Sequence, residues 1–243
     1  MRRAVRADWK AATARQFDAI APRWREHGLP DGERVAAVLA DLACPPGGLA
    51  LDAGCGAGNW SAALALAGYR VRGIDLSPAM IAEAESVARE HGLGPAWASF
   101  GVGDVERLPF PADTFDGAIC FNALDFTPRP GVALAEFRRV VRPGGRLALA
   151  CLGAYSPVKR EWWRRFLPDD EAIHTGNDIL PWELEALLRA LGWEIVDQRP
   201  AFSPTRGENP YATIVADLPD TVLRQTVAGS WRFVARKPIG GDA

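Results

Sequence analysis

Leu49-Ala50-Leu51-Asp52-Ala53-Gly54-Cys55-Gly56-Ala57-Gly58-Asn59-Trp60 begins as an apolar run, meets an acid, crosses three alternating glycines and enters a helical pattern. Strand, glycine turn and helix in that order bring backbone up to a ligand. Glycine allows a tight turn at unusual φ and lets a ligand approach where a Cβ would stand. The helix that opens near Asn59 offers free N–H groups to a negatively charged group. Such a turn is weak evidence by itself. Asp75 strengthens it, standing 23 positions after Asp52 at the end of the next apolar run, Val71-Arg72-Gly73-Ile74-Asp75. A carboxylate placed there can accept from both hydroxyls of a ribose.

On either side of this stretch, short β runs alternate with helical patterns. Leu49 to Ala53 is followed by a helix Trp60 to Ala67, a strand Tyr69 to Asp75 and a helix Pro78 to His91. Strands then follow at Ala98 to Val102 and Phe115 to Phe121, a helix at Val132 to Val140 and a strand at Arg146 to Leu152. That rhythm predicts a doubly wound, mostly parallel α/β sheet. Upstream, residues 1–45 read as helix, broken at Gly28 to Gly32 and ended by Pro45-Pro46-Gly47-Gly48. After Leu152 the rhythm lapses. Residues 153–180 carry Tyr155, Trp162, Trp163 and Phe166 with no β pattern and look like an insertion over one face. A helix Pro181 to Ala190, a strand Trp193 to Gln198, a helical stretch Leu218 to Val227 and a strand Ser230 to Ala235 complete the chain. The economical organisation is one domain: a helical lid at 1–45, a core at 46–152 and 181–236, and a lid insertion at 153–180.

Composition excludes several classes. With 243 residues, 48% hydrophobic and 24% charged, the chain can bury a large core, which excludes disorder and collagen-like or coiled-coil structure. A formal net charge of -2 gives no uniform basic field, so nucleic acid is not expected as a partner. Cys44, Cys55, Cys120 and Cys151 form no CxxC pair and have no nearby His at ligand spacing, which argues against zinc and against a disulfide framework. Reduced thiols in the cytoplasm are the expectation. No segment approaches the roughly 18 consecutive apolar residues of a membrane span, and the first residues show no apolar leader.

The glycine turn and ribose acid admit a nicotinamide dinucleotide and S-adenosylmethionine equally, and the third strand separates them. A nicotinamide dinucleotide fingerprint wants a third glycine where this chain has Asn59. Gly103-Asp104-Val105 follows the third strand, with Asp104 where an adenine amino group could donate to it. Thr114-Phe115-Asp116 opens the fourth strand, Phe121-Asn122-Ala123-Leu124 ends it, and Arg142-Pro143-Gly144-Gly145-Arg146 leads into the fifth. In these motifs the chain resembles the class I S-adenosylmethionine-dependent methyltransferases, in particular the small-molecule branch that includes the ubiquinone and menaquinone methyltransferases. The resemblance covers residues 15–152 well and 181–236 loosely. It implies a seven-stranded Rossmann-like sheet, S-adenosyl-L-methionine as cofactor, and methyl transfer to an O, N or C nucleophile of a small molecule.

Residue by residue, the resemblance implies that Asp52, Gly54, Gly56 and Gly58 lie beside the methionine portion, with Cys55 and Asn59 of the same turn also binding the cofactor. Asp75 would take the ribose hydroxyls, Leu76 and Met80 flank adenine, Asp104 and Val105 meet its edge, and Asn122 faces the methyl group. Phe17-Asp18-Ala19-Ile20-Ala21-Pro22-Arg23-Trp24 is similar to the family's FDxxAxxYD helix, which closes over the cofactor, with Trp24 in place of Tyr. Asp125 and His174 are the candidates for a general base. Trp24, Trp162 and Trp163 are candidates for the acceptor's walls, since large rings over a sheet edge exclude water and stack on a flat molecule. Cys55 reads as a small residue under the turn with no redox role. Asn209-Pro210-Tyr211 looks like the NPPY signature of amino-group methyltransferases, but it lies after the sixth strand and that chemistry needs it after the fourth. Two other readings stand beside methyl transfer: a nicotinamide-dependent oxidoreductase, and a protein that binds S-adenosylmethionine without transferring a methyl.

Overall fold

The computed structural model describes residues 2–153, 176, 177, 179–201 and 230–239, and within them the side chains from residue 9 onward. The seven strands are β1 (Leu49–Ala53), β2 (Arg70–Asp75), β3 (Ala98–Val102), β4 (Phe115–Phe121), β5 (Val141–Leu152), β6 (Glu194–Pro200) and β7 (Ser230–Arg236). Helices are α1 (Arg2–Arg25), α2 (Gly32–Leu42), α3 (Asn59–Leu66), α4 (Pro78–Glu90), α5 (Pro130–Val140) and α6 (Pro181–Ala190), with a 3-10 turn at Leu124–Phe126.

The strand order is β3-β2-β1-β4-β5-β7-β6. The first five strands run parallel, and β7 lies antiparallel between β5 and β6. β1 sits at the centre and is almost wholly apolar because helices cover both of its faces. Alternate residues feed two cores. Ala118, Cys120, Leu147, Leu149 and Cys151 pack toward Phe137, Leu184 and Leu188 of α5 and α6. Ile119 and Ala148 point the other way, to Val38 and Leu42 of α2 and Leu64 of α3.

The strands, and the helices through Ala190, fall where the sequence places them, apart from the start of β5. The sequence predicts a strand from Arg146, whereas β5 begins at Val141 and carries an irregular register between the Phe115 and Gly117 pairings. Pro143 and two glycines disguise it locally. Bonds from the far end of the chain hold it in the sheet: Gly144 N–H donates to Lys237 C=O at 2.7 Å and Lys237 N–H to Gly145 C=O at 2.9 Å. The predicted 218–227 helix and nearly all of the 153–180 insertion lie outside the described residues.

Candidate active site

The carboxyl ends of β1, β2 and β4 meet at one point, where the strand order turns outward from β1. Ligands bind there in open α/β sheets. Gly54 and Cys55 both donate their N–H to Ile74 C=O, at 2.8 and 2.9 Å, which folds the glycine turn over the end of β2. Gly56 N–H then donates to Asp75 Oδ2 at 2.9 Å, and Ser77 N–H to Asp75 Oδ1 at 2.9 Å. Each Asp75 oxygen thus holds one backbone bond and keeps a lone pair to spare. Gly58, at φ 77°, turns the chain into α3, and Asn59 opens that helix.

Asp52 lies beneath the turn, 3% exposed, and accepts from Ser61 Oγ at 2.6 Å. Burial pushes its pKa up to about 7; the Ser61 hydroxyl works against the shift and the neighbouring Asp75 adds to it. Burial also raises Asp75, against the lowering effect of the Ser77 and Gly56 N–H bonds. Two acids that resist ionisation side by side make a setting that a cation would relieve. The Cys55 thiol is pushed well up by burial and stays protonated, so its place under the turn is one of packing.

α1 lies across this edge. Trp9 Nε1 donates to Phe126 C=O at 3.1 Å, and the Phe17 ring meets Phe126 edge-on at 5.0 Å. Asp18 accepts from Ser77 Oγ at 2.5 Å and Ala79 N–H at 3.1 Å at the start of α4. Ala21 packs with Ala57 and Met80. Trp24 C=O accepts from Asn59 Nδ2 at 3.2 Å, and its indole rests on Gly56, where an added Cβ would come within 3.0 Å of the ring. Arg25 pairs with Glu83 at 3.1 Å and with Glu90. The apolar stripe on α1 is narrow, and polar contacts flank it at both ends.

Asp104 is held by two groups that sequence reasoning missed. Lys10 of α1 pairs with its Oδ2 and with Glu106 at 2.8 Å, and Glu106 N–H donates to its Oδ1 at 2.9 Å. The one available signal is that Lys10 is among three lysines in an arginine-rich chain. Leu76 and Val105 are half-buried, whereas Met80 is 1% exposed beneath α1. Asn122 adopts φ 57°, and its buried Oδ1 has no hydrogen-bond partner among the described residues.

The expected general base Asp125 does not present an open carboxylate. It is fully buried, and both oxygens face Leu152 N–H at 3.1 and 3.2 Å, tying the 3-10 turn to β5. Trp24 does border the site and is 40% exposed. His174, Trp162 and Trp163 lie outside the described residues.

The chain resembles known proteins in sequence and in fold. Residues 51–149 match the methyltransferase domain family. The ubiquinone biosynthesis O-methyltransferase of Xanthomonas axonopodis pv. citri is 33% identical over 195 residues, 77% of this chain and 79% of that protein. Among solved structures, magnesium protoporphyrin IX methyltransferase from Synechocystis, with bound S-adenosylhomocysteine, superposes with a TM-score of 0.67 at 20% identity, over 94% of this chain and 99% of that one. The 4+2-cyclase SpnF shares the fold with a TM-score of 0.70 at 24% identity, over 94% and 96% of the two chains. A cyclase and a methyltransferase on one fold show that architecture does not decide chemistry. The sequence relatives do decide it, and they lend nothing to an oxidoreductase: the chain belongs to the class I S-adenosylmethionine-dependent methyltransferases, with S-adenosylmethionine as its methyl donor.

Proposed function

We propose that this protein methylates a hydroxyl oxygen on a small, ring-bearing molecule. The observation that carries the acceptor class is likeness over 77% of the chain to enzymes named for O-methylation in ubiquinone biosynthesis. Nucleic acid is not the partner in this reading, and the site of action is the cytoplasm. All four cysteines are free and buried, in keeping with a reducing compartment, and no helix among the described residues is long and apolar enough to cross a membrane.

The cradle in this reading is Asp52, Gly54, Cys55, Gly56, Gly58 and Asn59 for the methionine portion, Asp75 for the ribose, Leu76 and Met80 beside adenine, Asp104 and Val105 at its edge, and Asn122 toward the methyl group. Three features support the fit: the spare lone pairs of Asp75, the two acids raised by burial, and the orphaned Asn122 Oδ1. When bound, S-adenosylmethionine supplies a methyl group already activated on a sulfonium. The residues' task is then to hold donor and nucleophile in line, which can lower a barrier by up to about 7–11 kcal/mol. Trp24 and the edge of α1 exclude water from that volume. Asp125 positions β5, and a base on the acceptor is a smaller contribution, about 10²–10⁴-fold where present.

Radiolabelled donor offered with phenolic, amine and quinone acceptors tests the assignment. Label should enter phenolic hydroxyls; label confined to amines, or no transfer to any acceptor by a protein that binds S-adenosylhomocysteine, overturns it.

The cradle's acids also predict a pH dependence. A cationic ligand favours the ionised form of Asp52, so binding below about pH 7 must release a proton and is weakened. Affinity for S-adenosylmethionine should rise several-fold from pH 6 to pH 8 and level off above the Asp52 pKa of about 7. Asp52→Asn should flatten that slope. A wild-type affinity independent of pH across this window, measured by calorimetry, would remove Asp52 from the cofactor's surroundings.

A further inference from the structure

We propose that Lys10 is a positioning residue for adenine recognition, fixing the Asp104 carboxylate in the plane from which it reads the adenine amino group and so making α1 part of the specificity of the site. The inference rests on the reading of Asp104 as the adenine acid.

The Asp104 carboxylate is gripped at both oxygens, Oδ1 by Glu106 N–H at 2.9 Å and Oδ2 by Lys10. An aspartate rotor held at two points has one orientation left. Its side chain nevertheless remains 30% exposed, so a further donor can reach it, and a carboxylate oxygen accepts more than one hydrogen bond. Lys10 and the adenine amino group can therefore share Asp104.

The second acid explains why Lys10 stays. Glu106 has a side chain 1% exposed and takes Arg129 Nε and Nη2 at 2.9 and 2.6 Å, Thr127 Oγ1 at 3.0 Å and Lys10 at 2.8 Å. Lys10 and Arg129 together balance Asp104 and Glu106. Adenine is neutral and cannot replace a cation in that balance, so its arrival gives Lys10 no reason to leave. Burial pulls the Lys10 pKa down, but its bonds to Asp104 and Glu106 outweigh this and raise it, which keeps the ammonium charged. Trp9, one residue earlier, is bonded to Phe126 C=O at 3.1 Å and sets the helix at the height from which Lys10 reaches Asp104.

The property to measure is discrimination between S-adenosylhomocysteine and S-inosylhomocysteine, which carries an oxo group where adenine has its amino group. The oxo group turns a donor to Asp104 into a repelled acceptor, so the wild type should prefer the adenine form strongly. Lys10→Met should shrink the ratio of the two dissociation constants by about five- to tenfold, the worth of one well-aligned hydrogen bond. Lys10→Arg should keep most of the ratio, and Lys10→Gln, whose amide cannot balance the charge, should fall between. Lys10 carries 25% side-chain exposure, so these variants should fold, and thermal melts confirm it. If Lys10→Met weakens both ligands equally and leaves the ratio unchanged, Lys10 merely fastens α1 and the proposal is overturned. Asp104→Ala separates the two failures. Should Asp104→Ala keep the wild-type ratio, the adenine reading itself is wrong; should it erase the ratio while Lys10→Met keeps it, the Lys10 assignment alone fails.

Discussion

Asp75→Ala should raise the dissociation constant for S-adenosylhomocysteine by about 10²–10⁴-fold. The carboxylate spends one lone pair of each oxygen on Gly56 N–H and Ser77 N–H, at 2.9 Å each, which fixes it at the end of β2 with one acceptor site per oxygen directed elsewhere. Two ribose hydroxyls fill those sites in the proposed cradle. Hydrogen bonds to a charged partner contribute about 1.5–3 kcal/mol each, so two lost bonds amount to about 3–6 kcal/mol. Alanine also frees Gly56 N–H, loosening the turn that meets the methionine portion, and this acts in the same direction. Asp75→Asn, which retains an acceptor oxygen but cannot serve both hydroxyls, should fall between. Calorimetric titration decides the matter, with circular dichroism to show that the variant is folded. A change under about threefold would mean that Asp75 is not the ribose acid.

The second large effect concerns the fold that carries the turn. Gly58 has φ 77°, and a Cβ built on it would lie 2.7 Å from the Ala84 Cβ and 2.9 Å from the Ala84 Cα of α4. α3 and α4 therefore approach each other backbone to side chain at this residue, and Ala84 cannot rotate away. Gly58→Ala combines about 1–3 kcal/mol of left-handed backbone strain with about 1–3 kcal/mol of overpacking. Against a typical total stability of about 5–15 kcal/mol, the sum of about 2–6 kcal/mol is a large fraction. Gly28 is the control: its φ is 67°, yet nothing lies within 4 Å of its added Cβ, so Gly28→Ala should cost strain without a clash. Urea unfolding should show Gly58→Ala less stable than Gly28→Ala by at least about 1 kcal/mol. Equal losses in the two variants would show that the close approach of α3 to α4 is not real.

Both predictions concern residues that stand out in the amino-acid sequence, and the reason is local. Val71-Arg72-Gly73-Ile74-Asp75 is a half-apolar run that stops at an acid, and the glycines of 54–58 announce a turn whatever else the chain does. Gly58 also matters for a second reason, contact with Ala84, and no pattern in residues 49–60 reveals it. The same division separates Asp75 from Asp125. Asp75 ends one strand of the parallel sheet and Asp125 follows another. Asp75 stays at the rim because the glycine turn bends over it, whereas Asp125 is drawn under the 3-10 turn onto Leu152 N–H, 27 positions away. An acid at the end of a strand is a good candidate for chemistry, and only packing distinguishes the one left at the rim of the sheet from the one that braces a neighbour.

Periodicity and spacing suffice for the class of fold and for the glycine turn and the acids at 52, 75 and 104, and the family and its methyl donor come from the resemblance that these motifs carry. Each of these is written within a few tens of residues, because a buried parallel strand must be apolar and its crossover helix must follow directly. The setting of those residues depends on partners remote in the chain. Lys10 meets Asp104 across 94 positions, Lys237 draws Val141 to Gly145 into the sheet, and Ala150 C=O takes Asn122 N–H where that residue stands in the left-handed region with its Oδ1 unpartnered among the described residues. Such pairs have no period to betray them, since what brings them together is the packing of helices and strands already formed.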